Sequence, residues 1–216
     1  MAEFLEGIED FDEVEVQEHA EKPAEPVPGG YILKIIGAKL ERYSNSNSVA
    51  IKIAFDIDEG DYKGYYKKLN DYNKSFDEKA KWKGTFNVWY PNKADEPDLY
   101  NKSMQNFKRA ITAINDSNPT KIDVTKKFSM DAFKGKKVGA AFGLSDWEYY
   151  GKTGTKCECR WFASVDRVKS GEMPIPKHKG LKGAAPITQT AADDTANTDS
   201  VFGDFEEILS DGEVPF

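Results

Sequence analysis

Residues 49–58 constrain the fold more than any other part of the chain. Val49, Ile51, Ile53, Phe55 and Ile57 alternate without a break with Ala50, Lys52, Ala54, Asp56 and Asp58. A period of two sets one apolar row against one mostly polar row, the pattern of a strand with a single buried face. Such a strand needs partners, and the preceding segment Tyr31–Tyr43 supplies one. It opens after Pro28-Gly29-Gly30, is β-branched early, and has Gly37 as a site for a bulge. Ser44–Ser48 is the turn between the two, so they form a hairpin.

The same reading extends along the chain. Tyr62–Leu69, after Glu59-Gly60, is expected to be a third strand, and Gly84–Tyr90 also has strand composition. Tyr100, Met104, Phe107, Ile111 and Ile114 recur every three or four residues, which predicts a helix over 99–114 ended by Asn118-Pro119. Lys136–Tyr150 reads as a fourth strand, with Val138, Ala140, Phe142 and Leu144 on one face. Its other face starts with Gly139, Ala141, Gly143 and Ser145, small enough for a ligand or another backbone to approach closely. Gly151–Thr155 is a turn and Lys156–Val168 a fifth strand, with Cys157, Cys159, Trp161, Ala163 and Val165 expected on one side. Lys156, Glu158, Arg160 and Phe162 are expected on the other. Five main strands with one helix between the third and fourth match a mainly β chain, a five-stranded antiparallel OB-type barrel, better than a seven-stranded sandwich.

Charge divides the chain into three parts. Residues 1–28 carry a net −9, residues 190–216 a net −8, and residues 29–189 a net +10. The formal charge of −7 therefore describes the ends, while the middle is basic. It also holds 22 of the 27 aromatic residues. We divide the chain accordingly into an acidic, disordered N-terminal arm (1–28), a folded domain (29–169), and a flexible linker with an acidic tail (170–216). No run of 18 apolar residues exists and the acidic start lacks a signal-peptide pattern, so a cytoplasmic protein is expected. Two cysteines cannot staple a fold of this size and fit a reducing compartment.

Tests for catalytic chemistry fail. Gly151-Lys152-Thr153 is not a phosphate loop, because the glycine required five residues earlier is Asp146. Cys157 and Cys159 have no second cysteine pair to complete a metal site. Asp56, Asp58 and Asp61 do not have calcium-loop spacing. With only His19 and His178 present, no nucleophile–histidine set is recoverable. The expectation is a protein that is not an enzyme and needs neither cofactor nor metal.

Basic and aromatic residues are interleaved instead. Single-stranded nucleic acid calls for this mixture: cations follow the phosphates and rings stack on unpaired bases. In an OB barrel the ligand crosses strands 2 and 3 between the 1–2 and 4–5 loops. That nominates Arg42, Tyr43 and Lys52, then Tyr62, Lys63, Tyr65, Lys67 and Lys68, then Trp147, Tyr149, Lys152 and Lys156. Lys81, Trp82 and Lys83 join them, because a Trp between two lysines is poorly explained by burial; Arg160 and Phe162 are lesser candidates. The rival reading is an acidic DNA mimic or inhibitor that presents its negative ends to a host protein.

The chain ends in Asp211, Gly212, Glu213, Val214, Pro215 and Phe216. An apolar tip with a free carboxylate behind acids suits a small apolar pocket rimmed by lysine or arginine. This end resembles the C-terminal peptide of bacterial and phage single-stranded DNA-binding proteins, which recruits replication and repair enzymes. It departs from that pattern in Gly212 and in Val214, where those tails often carry Ile or Leu. Gly30-Tyr31, Ile53–Ile57, Tyr62-Lys63-Gly64 and Gly135–Val138 make the body similar to a family of phage-encoded proteins that sit among replication and recombination genes. The resemblance implies a phage-type single-strand binder in a bacterial host cell. It also implies that Asp211, Glu213, Val214, Pro215 and Phe216 dock replication or recombination proteins, and it leaves homo-oligomerisation open.

Overall fold

A computed structural model of the chain describes residues 21–44 and 48–181. Five antiparallel strands form one sheet: β1 (Gly29–Tyr43), β2 (Ser48–Ile57), β3 (Thr85–Tyr90), β4 (Lys137–Tyr149) and β5 (Lys152–Ala163). They lie in the order β3-β2-β1-β4-β5. The first hairpin forms as the alternation requires, with Tyr43 opposite Ser48 and Leu33 opposite Ile57. Its register slips between Ile35 and Gly37, the expected bulge. Ile51, Ile53, Phe55 and Ile57 are all essentially buried, with Leu33, Ile35, Val138 and Phe142 beside them.

The third strand is β3, and Tyr62–Leu69 is not a strand. Helix α1 (Tyr65–Lys74) occupies that segment. Tyr62, Tyr65, Tyr66, Leu69 and Tyr72 recur at helical spacing, and the buried Tyr65 and Tyr66 face the core. Gly64 enters the helix in the left-handed region at φ 71°. The Asp56 carboxylate at the end of β2 accepts from the backbone N–H groups of Tyr66 (2.9 Å) and Lys67 (3.2 Å). A long-range cap and tertiary burial thus override the strand preference of the tyrosines.

Helix α2 (Pro97–Asp116) carries the expected apolar stripe, with Pro97 in its first turn. Phe107, Ala110, Ile111, Ala113 and Ile114 are buried, whereas Met104 is exposed. The Asn118 side chain ties the helix to β4. It donates to the Ile114 and Lys137 carbonyls at 2.7 Å each and accepts from the Lys137 N–H at 3.0 Å.

Strand β5 departs from strict alternation. Ala141 faces Trp161 but Phe142 faces Cys159, so Arg160 is an extra residue in the ladder. The bulge resets the parity. Phe162, expected outside, enters the core with Cys157 and Cys159 packed against it, and Trp161 lies half-buried on the opposite side. The Phe162 ring meets Phe86 of β3 at 4.7 Å between centroids, bringing the two edge strands together. No ladder joins β3 to β5 among the described residues.

The small-residue face of β4 is covered by the chain's own backbone. A short helix α3 (Val165–Lys169) follows β5, and residues 170–181, which sequence assigns to a tether, continue along β4. Pro176 is buried, and a side chain at Gly143 would meet its ring at 2.6 Å. Lys179 exchanges backbone hydrogen bonds with Leu144 and Asp146, and His178 meets the Asp146 carboxylate at 2.8 Å. Among the described residues no helix is long and apolar enough to cross a membrane.

Candidate nucleic-acid interface

The outer face of the β1–β2–β3 ladder collects one set of groups. Register pairs Lys39 with Lys52, and Lys52 with Asn87; it also pairs Glu41 with Ala50, and Ala50 with Trp89. Tyr43 closes the row, its ring tilted against Trp89 at 5.1 Å. Asn87 donates from Nδ2 to the Tyr43 hydroxyl at 2.9 Å, and that hydroxyl donates to Glu41 at 3.0 Å. Lys52 and Lys39 pair with the same carboxylate at 3.1 Å and 3.5 Å. Burial pushes the Glu41 carboxyl up. The hydrogen bonds from Lys52 and Tyr43 and the two lysine charges outweigh it and hold the group below its usual range. The Tyr43 hydroxyl is raised by burial and by the bond to Glu41.

Two residues of the nominated set, Tyr43 and Lys52, lie on this face. Arg42 points to the other side of the sheet, in the row of Val49 and Tyr90. Trp89, Asn87, Lys39 and Glu41 lie outside the basic–aromatic clusters of the sequence and join the face only through strand pairing. Their signal was present, since Phe86, Val88 and Tyr90 alternate with Thr85, Asn87 and Trp89. Period-two reading sets Trp89 beside Asn87 on the polar side.

A second set lies on the β4–β5 hairpin. Trp147, Tyr149, Lys152 and Lys156 share one face, since Trp147 pairs with Gly154, Tyr149 with Lys152, and Ser145 with Lys156. Gly154 leaves room for the indole; a Cβ there would stand 2.7 Å from it. The turn uses Tyr150 and Gly151 at φ 48° and 71°, and Tyr150 is 88% exposed with its ring against Tyr149. Lys156 pairs with Glu158 at 2.7 Å. The antiparallel register carries this hairpin beyond the start of β1, whereas the β1–β2 turn lies at its far end. The two loops expected to flank one ligand therefore stand at opposite ends of β1.

The other nominated rings are structural. Trp82 packs on the core, and its indole N–H donates to the carbonyls of Phe55 and Gly84, at 3.1 Å each. Tyr65 is buried, which pushes its hydroxyl to about 12. Tyr62 packs against Tyr31 at 5.9 Å. Lys63, Lys67, Lys68, Lys81 and Lys83 are exposed around these rings, so the cations of those clusters face solvent while Tyr65 is buried and Tyr62 and Trp82 are partly buried. Arg160 is half-buried and donates to the Ser145 hydroxyl at 3.0 Å. Asp211, Glu213, Val214, Pro215 and Phe216 lie outside the described residues. No protein-family model matches the chain, and neither does any curated protein.

Proposed function

We propose that this protein binds single-stranded DNA without sequence preference, using the outer face of β1–β2–β3, and that it is a binding protein rather than an enzyme. The observation that carries the reading is the Tyr43–Trp89 ring pair flanked by Lys39, Lys52 and Asn87. The two rings pack at an angle of 44° on a pleated surface and present aromatic area for unpaired bases, and ammonium groups one residue pair away suit the phosphates. The exposed Trp147, Tyr149 and Tyr150 with Lys152 repeat the same chemistry on the hairpin at the other end of β1.

The strand order supports an OB-type barrel whose seam is β3 against β5, and the Phe86–Phe162 contact is where that seam would close. The acidic C-terminal segment ending in Pro215-Phe216 is assigned to the capture of replication or recombination proteins in a phage-infected bacterial cell.

Titration of tryptophan fluorescence with oligo-dT over a range of salt tests the interface. Quenching is expected, with log K falling linearly against log salt by about 0.7 per phosphate contacted. No quenching at low salt, or equal affinity for duplex DNA, overturns the reading.

A further inference from the structure

Glu41 is the acid on the proposed binding face, and its surroundings are unusual for a carboxylate. Oε1 faces the Lys39 ammonium at 3.5 Å; Oε2 faces Lys52 at 3.1 Å and the Tyr43 hydroxyl at 3.0 Å. Two ammonium groups and a phenol hydroxyl converging on two anionic oxygens is the donor set that a phosphodiester takes from a protein. All four groups lie on adjacent strands of one sheet face, beside Trp89. Glu41 and Lys52 are both about three-quarters covered, with side-chain exposures of 27% and 26%, so the pair is less screened than a free surface contact.

We infer that Glu41 is an internal stand-in for phosphate: it occupies the place of a backbone phosphate in the free protein and must release Lys39 and Lys52 when a strand binds. The inference rests on the proposed single-strand reading of this face. It assigns Glu41 a role opposite to that of its neighbours, since the carboxylate weakens binding while its partners strengthen it. Two physical consequences follow. The displaced carboxylate stays near the incoming phosphates and repels them. It also regains a counterion from solution, so the net number of ions released on binding falls by about one.

The bond from Tyr43 offers a competing account, in which Glu41 serves chiefly to orient that ring. The variant Glu41→Gln separates the two. It keeps the length of the side chain and an oxygen that accepts from Tyr43, and removes the charge while turning the other oxygen into an NH2 donor. We expect oligo-dT to bind Glu41→Gln about three- to tenfold more tightly at low salt, from removal of one like charge at contact range in a partly wet site. We expect the slope of log K against log salt to steepen by about 0.7 to 1. Lys52→Gln adds a second arm. It should weaken binding more in the Glu41→Gln background than in the native protein, because in the native protein Lys52 is already half-neutralised.

Glu41→Ser, which cannot reach either ammonium, should shift affinity in the same direction and covers the case in which the amide disturbs the sheet. The inference is overturned if native protein binds oligo-dT while Glu41→Gln and Glu41→Ser bind equally or more weakly, or if the salt slope does not change. Failure of the native protein itself to bind oligo-dT instead removes the functional reading beneath it.

Discussion

Replacing Trp82 by Phe removes the indole N–H and the second ring but keeps a flat apolar group in the same place. Two carbonyls lose a donor, those of Phe55 and Gly84, each at 3.1 Å. The Gly84 carbonyl still accepts from the Phe55 N–H at 2.8 Å, so the loss is nearer one hydrogen bond than two. That bond contributes about 1 kcal/mol, and the smaller ring against the core about 1 kcal/mol more. Stability should fall by about 2 kcal/mol, a drop in melting temperature of about 4–8 °C for a chain of this size. Affinity for oligo-dT should not change, because this ring is engaged with the protein's own backbone.

Trp89→Ala is the matched opposite. Its ring lies on the outer face against Tyr43, where loss of base stacking should cost about 1–3 kcal/mol, raising Kd about 5- to 150-fold. Thermal melts and fluorescence titrations of the two variants read both quantities. If Trp82→Phe weakens binding tenfold while melting at the native temperature, or Trp89→Ala binds normally, the division between structural and binding tryptophans is wrong.

Further predictions bear on the fold. Gly84→Ala should destabilise by about 3 kcal/mol in urea titration, because its Cβ would stand 2.4 Å from the Phe55 carbonyl oxygen, a backbone atom that cannot swing away. Phe162→Ala should cost about 3–5 kcal/mol as a core truncation, and a loss under about 0.5 kcal/mol would show that the β5 bulge does not turn this ring inward. Burial first, and then the charges of Glu158 and Glu25, push the Cys157 thiol up to about 11, and burial holds the Cys159 thiol well above its usual range. Both thiols therefore stay protonated at pH 8, and maleimide labelling of native protein should run about a hundredfold slower than labelling in denaturant. Equal rates would place the cysteines outside the core.

What the sequence decided by itself was local and periodic. The alternation of 49–58 specified β2 and its buried face, and Gly37 marked the bulge in β1. The spacing of Phe107, Ile111 and Ile114 specified α2. The basic body and acidic ends follow from composition alone. Tertiary structure decided everything that depended on a distant partner. Asp56, across a turn from α1, caps that helix and draws Tyr65 and Tyr66 into the core, so a segment of strand-favouring tyrosines becomes helical. One extra residue at Arg160 exchanges the faces of Trp161 and Phe162, because side-chain direction in a strand depends on counting by two and an insertion breaks the count. The fates of the two tryptophans follow from the same cause. Trp82 sits between lysines in sequence, yet its N–H is satisfied by carbonyls brought near only by folding. Alternation sets Trp89 on the polar side of its strand, but only strand pairing lays it against a tyrosine from 46 residues earlier. A binding face on a sheet is assembled across strands, and neighbours across strands are set by register, which no local window of sequence contains.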